Sequence, residues 1–171
     1  MKELLQSRVV HAHQSGALEA IQSTCEFCLE LSDAPDTRFR SIYRVRRDRI
    51  VVRRNRIAVM PTLGQLFMGS LLVLPEFHCE TAADLPPDDR RDLLDVVDLM
   101  KDKVQKVGFP LVVEHGVRQG SGTGCGIYHA HIHVIPLPEH LPFRELLADA
   151  AKPTSSLNEA LSYRRRQAKS P

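Results

Sequence analysis

The sequence predicts an α+β domain: a curved, mainly antiparallel sheet with one principal helix, extended by helical segments at both ends. Two observations carry this. Several short β-branched or apolar runs are separated by polar pairs that suit hairpin turns. One much longer stretch carries a single apolar stripe at helical spacing. The chain has 171 residues, of which 43% are apolar, enough for one domain with a real core.

In chain order, residues 1–24 form a helical lead-in, with Leu4, Leu5, Val9, Ala12 and Ala17 to Ile21 at rough helical spacing around Gly16. Residues 29–41 are polar, contain Pro35, and suit a loop or a short helix. Ile42 to Val45, Ile50 to Arg53 and Ile57 to Met60 read as strands, split by Arg/Asp and Arg/Asn pairs. The arginines from Arg44 to Arg56 alternate with Val and Ile, the pattern of a solvated strand face; attraction of phosphate is the alternative. Gly69 to Pro75 is a buried strand stopped by proline. Ala82 to Val107 is the principal helix, with Pro86 and Pro87 at its start, Asp88 and Asp89 in its first turn, and Gly108 at its end. Leu111 to Glu114 is a strand, and Val117 to Gly126, with four glycines, a loop. Ile127 to Ile135 is the last strong strand, closed by Pro136 and Pro138. The tail from Glu139 is partly helical and ends in Arg164-Arg165-Arg166.

A net charge of +2 is too small for a nucleic-acid coat. No apolar run approaches the roughly 18 residues of a membrane span. Met1 to Arg8 lacks the apolar block of a secretory signal, so a cytoplasmic protein is expected. Four cysteines are present, and Cys25 and Cys28 form a Cys-x-x-Cys pair. In a reducing compartment such a pair is more often a metal clip or redox site than a structural disulfide.

The chemistry concentrates in Tyr128-His129-Ala130-His131-Ile132-His133-Val134-Ile135. Alternate side chains of a strand share a face, so His129, His131 and His133 are expected on one side and Ala130, Ile132 and Val134 in the core. Three imidazoles in a row are costly to bury without partners and poor packing material. At strand rise the outer two stand about 13–14 Å apart, too far to share one ion without a sharp bend.

This segment resembles the motif of the histidine-triad (HIT) superfamily of nucleotide hydrolases and transferases, His-φ-His-φ-His-φ-φ with φ apolar. The resemblance spans roughly residues 25–138. Asp48 to Met60 is similar to the family's opening hairpin, and Gly69 to His78 to its Gly-His-x-Leu-Val-Ile-Pro-Lys-x-His strand. It implies a catalytic domain over 25–138, flanked by the lead-in at 1–24 and a tail at 139–171. It implies His131 as nucleophile at the α-phosphorus of a nucleotide-type substrate, giving a nucleotidyl-histidine. His133 is implied as the donor to phosphate or bridging oxygens. Gly124, Cys125 and Gly126 would supply backbone N–H groups to phosphate, and Glu114 or His115 would stand where an Asn of some members touches phosphate or ribose. Zinc-bearing members clip a structural zinc in a way that carries over to Cys25, Cys28, His78 and His129. Members often dimerise through the helix and a sheet edge, so a homodimer is implied too. Three features depart from the family, one of them a longer loop from Gly116 to Cys125 together with the lack of the Arg that follows Pro136 in several branches. Gly124-Cys125-Gly126 replaces a Gly-Gln-Ser/Thr segment, and Thr62 stands where an acidic residue often holds the ribose. Both leave open a non-catalytic, nucleotide-binding or regulatory protein.

Overall fold

The computed structural model describes residues 22–118, 127–142 and 156–161. The expected helix in residues 1–24 falls almost wholly outside these, as do the Gly-rich loop from 119 to 126 and most of the tail. The chain divides into two compact units, Met1–Asp48 and Arg49–Pro171.

In the first unit, helix α1 (Glu26–Leu31) starts from Cys25, whose backbone is extended at the N-cap. Helix α2 spans Arg38–Tyr43. This corrects the strand expected at Ile42 to Val45. The hydroxyl of Thr37 accepts the N–H of Arg40, and Arg44 ends the helix in the left-handed region at φ 52°. A cap and a stop enclosing six residues outweigh two β-branched residues.

The second unit holds one five-stranded sheet in the order β1-β2-β3-β5-β4, antiparallel at every pairing. Strands β1 (Val52–Arg54) and β2 (Ile57–Pro61) meet through Asn55 and Arg56. Both turn residues have positive φ, 50° and 63°, as the tight turn matched to strand twist requires. Strand β3 (Leu71–Pro75) returns alongside β2, after a loop in which the Gln65 amide bonds both Gly69 N–H and Ser70 C=O.

The principal helix is shorter than expected. Ala82–Asp84 forms a separate 3-10 turn, in which the Thr81 hydroxyl donates to the Asp84 carboxylate at 2.7 Å. Helix α3 runs Pro87–Val104. The two prolines cause the break, since a residue before proline is driven out of the helical region; Leu85 and Pro86 are extended, with ψ of 144° and 149°. Acidic Asp88 and Asp89 and basic Lys101 and Lys103 match the two ends of the helix dipole. Leu93, Val96, Val97, Met100 and Val104 are buried along one stripe. They form the core with Ile57, Val59, Val73, Ile132 and Val134 of the sheet. Residues 157–161 are helical and return Leu161 to the same core.

Strand β4 (Phe109–Glu114) lies at the edge, paired with β5 (Ile132–Leu137). β5 begins later than the expected Ile127 and runs through Pro136 instead of stopping there. His115 N–H donates to His131 C=O at 3.1 Å, which marks that pair as hydrogen-bonded. Antiparallel pairs alternate, so Pro110 opposite Pro136 falls in the class that exchanges no bond across the pair. Neither proline costs this ladder a donor. The late start has a cause too: Ala130 N–H donates to Cys79 C=O, so the chain there is held by the segment after β3.

Candidate active site

The helix-facing side of β5 carries Ile132 and Val134 into the core, so His131 and His133 turn to the other face. Continuing the β4–β5 register past Glu114↔Ile132 puts His115 directly across from His131 and diagonal to His133. Their rings gather accordingly. Centroid separations are 5.2 Å for His131–His133, 5.5 Å for His115–His131 and 5.9 Å for His115–His133. His131 is 2% exposed, His133 is half-buried and His115 is exposed, so the cluster runs from the interior to solvent.

His131 Nδ1 lies 2.6 Å from the backbone carbonyl of His129. A carbonyl can only accept, so Nδ1 carries the proton and Nε2 is the basic nitrogen of the neutral ring. Burial pushes the His131 imidazole down to about 4, and the neighbouring His133 and His115 add to this against the carbonyl bond. His133 is lowered as well, by burial and then by His115. Both rings are neutral at neutral pH.

Glu114 braces this site from below. Its Oε1 accepts the N–H groups of Gly116 (3.1 Å) and Ala82 (3.3 Å), tying the end of β4 to the 3-10 turn. A Cβ at Gly116 would overlap that carboxylate and the backbone of Glu80 and Thr81. Glycine is therefore required beside His115. Arg118 and Asp84 form an ion pair at 2.6 Å in the same region.

His129 separates from the other two triad histidines. Its ring packs edge-on against His78 at 5.3 Å, fully buried. His129 Nε2 donates to Pro75 C=O at 2.9 Å, which leaves Nδ1 as the basic nitrogen. In the first unit, Cys25 and Cys28 flank the first turn of α1, and a hydrogen bond between their thiols raises Cys28 far above the usual thiol range. Cys79 is half-buried; its thiol meets Thr81 C=O at 3.2 Å and is pushed up to about 11 by burial. The Thr62 hydroxyl, just beyond β2, is buried with no hydrogen-bond partner among the described residues. Gly124, Cys125 and Gly126 lie outside the described residues.

Sequence spacing alone suggested a row of three imidazoles. The geometry regroups them as His131 and His133 with His115, and His129 with His78. The backbone carbonyls of Pro75 and His129, which orient two of the rings, leave no mark in a motif.

Among the described residues, no helix is long and apolar enough to cross a membrane. The HIT domain family matches residues 46–140. A bis(5'-nucleosyl)-tetraphosphatase (asymmetrical) of Schizosaccharomyces pombe is 28% identical over 79 residues, covering 46% of this chain and 43% of that protein. The chain thus matches less than half the length of this relative. Among solved structures, a hypothetical protein from Leishmania major has a TM-score of 0.54 at 15% identity, covering 86% of this chain and 95% of its own. A HIT family protein from Bacillus anthracis has a TM-score of 0.51 at 16% identity, covering 85% and 91%. These two support the fold and nothing finer. With the domain match extending over more than half its length, the chain belongs to the HIT domain family.

Proposed function

We propose that the chain is a nucleotide hydrolase or nucleotidyltransferase acting at an α-phosphorus through His131. One observation carries the reading: a neutral, buried imidazole whose Nδ1 is pinned to a backbone carbonyl, next to a second imidazole at 5.2 Å. Nε2 of His131 forms a bond to phosphorus as the bond to the leaving oxygen breaks. His133 donates to the phosphate or bridging oxygen, where charge develops. Water or a second acceptor then takes the nucleotidyl group and returns the His131 lone pair. Gly124, Cys125 and Gly126 contribute backbone donors to phosphate in this reading, and His115 lines the open side of the site. Glu114, held by two backbone N–H groups, serves to position this edge and not to touch substrate.

The same proposal takes residues 25–138 as the catalytic domain, between the lead-in at 1–24 and the tail at 139–171. It takes Cys25, Cys28, His78 and His129 as a donor set of two thiolates and two imidazoles, the chemistry of a closed structural zinc site. Zinc there would fix the orientation of His129, whose carbonyl orients His131. A cytoplasmic setting, which keeps thiols reduced, suits that set. A homodimer through α3 and a sheet edge belongs to the same reading.

The name of the S. pombe relative puts dinucleoside tetraphosphates first among test substrates. The protein is incubated with these, with nucleoside phosphoramidates and with nucleotide sugars. Products and intact-protein mass are read at neutral pH, because phosphoramidate adducts are acid-labile. A nucleotide adduct on His131 with matching product release is expected. Binding across the panel without adduct or product would favour the second reading, a regulatory nucleotide-binding protein. That reading draws on the neutral Thr62 hydroxyl, which has no hydrogen-bond partner among the described residues, where the family often has a carboxylate for ribose.

A further inference from the structure

Only two of the three triad histidines face His115, and the grouping they make has a chemistry of its own. Each of His115, His131 and His133 offers one ring nitrogen, and the three nitrogens all lie within 4.8 Å of one another. The cause is the register: two imidazoles stand two apart on β5 and its lead-in, and the third stands across the ladder on the same face. Three features favour a metal ion over a chance meeting of rings. His131 Nδ1 donates to a backbone carbonyl, the outer bond that fixes the tautomer of a ligating histidine and directs Nε2 at an ion. The cluster opens to solvent at His115, which gives an ion a path inward. Three imidazoles with an open fourth position are also a ligand set that zinc accepts in catalytic centres. Glu114, the carboxylate next in sequence, has an oxygen committed to two backbone N–H groups, so the set is one of neutral nitrogen donors. Such a set selects zinc, copper or nickel over magnesium and calcium.

We propose that His115, His131 and His133 bind a divalent transition metal ion, Zn2+ in the first instance, at a site separate from the cysteine-containing donor set. Occupancy has a direct consequence for the activity proposed above, and this consequence rests on that reading. The Nε2 lone pair of His131 cannot be given to an ion and to phosphorus at once. Metal binding and nucleophilic attack are therefore mutually exclusive states of one site. The ion acts as a reversible inhibitor that a strong chelator removes.

The test titrates cobalt(II) chloride into the full chain and follows its visible d–d absorption. The expected result is a set of bands, free of thiolate charge transfer, that persists in the Cys25→Ser/Cys28→Ser variant. Their apparent affinity should fall by at least about tenfold in His115→Ala, which removes one ligand from an exposed position. Equal cobalt affinity in wild type and His115→Ala would overturn the proposal. A second measurement needs no variant: nitrogen-15 imidazole spectra of the wild-type chain titrated with zinc chloride. Shifts at the ring nitrogens of His115, His131 and His133 together are expected, and unmoved signals at zinc saturation would overturn the site. Turnover in the presence of zinc is then measured on whichever nucleotide proves to be a substrate. Loss of rate that tracks occupancy supports the exclusive-state argument, and full rate at full occupancy refutes it. The two binding readouts stand even if no nucleotide is turned over, so failure of the metal site and failure of the proposed activity are read separately.

Discussion

His131 meets two requirements through one residue pair, burial for neutrality and a carbonyl for orientation. Its removal should therefore separate chemistry from binding. His131→Ala is expected to lower turnover by about three orders of magnitude or more while nucleotide affinity, measured by calorimetry, stays within a few fold. The depressed imidazole gives a second expectation. Its proton comes on only as pH falls toward about 4, so at pH 5 His131 stays mostly neutral where an unperturbed histidine, near 6.5, is mostly protonated. Imidazole resonances followed from pH 8 to 4 check this, and a His131 midpoint above 6 would contradict the buried, neutral ring. Glu114 makes a different case. Glu114→Ala strands two backbone donors and should cost about 1–3 kcal/mol in a denaturant titration, whereas Glu114→Gln, which keeps an accepting oxygen, should recover most of it. At this scale the resemblance already grouped His129 with His78 and set His131 and His133 apart, as the rings are grouped, while the spacing by itself did not seat His115. The spacing of His129, His131 and His133 was plain. The seat of His115 opposite His131 follows from register, which no single segment encodes, and the turn of His129 toward His78 follows from a bond made by Ala130 to the Cys79 backbone.

Elements were legible where one signal dominated. Helix α3 announced itself through its proline start, charged ends and apolar stripe; its start was misjudged because two prolines divide it from Ala82–Asp84, and its end because Gln105 to Val107 form a turn beyond the last helical residue. Leu93 lies 1% exposed at the centre of that stripe. Leu93→Ala is expected to cost about 2–5 kcal/mol, read as a loss of unfolding midpoint with little change in slope. Helix α2 was misjudged because Ile42 and Val45 mimic a strand when Thr37 and Arg44 are not weighed as cap and stop. Strand β5 was placed early because periodicity does not reveal where a ladder begins. Its passage through Pro136 was hidden for a similar reason: the harmlessness of a proline depends on the class of pair it joins, and that is a property of two strands.

The antiparallel α+β architecture was readable at the scale of the molecule because five short strands and one long helix allow few ways to cover a single core. The boundary at Asp48 was not, since no run of glycine, serine or proline marks it. Zinc is the test at this scale. Thiol modification of Cys25 and Cys28 should release about one equivalent of zinc per chain, measured by plasma mass spectrometry and a chromogenic chelator. It should also lower the melting temperature; unchanged stability after complete release would remove zinc from any structural part.

The strand order β1-β2-β3-β5-β4 also dictates when the site can come into being. β1, β2 and β3 are hairpin neighbours and close over short loops, whereas β5 is drawn last of all the strands and yet is wedged between β3 and β4. Contacts between distant parts of the chain form slowly, because the loop that joins them must first be closed. During synthesis the β3 edge therefore waits, unpaired, until some sixty residues later the ribosome has released Ile132–Leu137. His131 and His133 arrive on the segment that completes the sheet, so the gathering of the histidine cluster and the finishing of the fold are one event. A nascent chain cut short before that segment carries His115 alone of the three clustered rings.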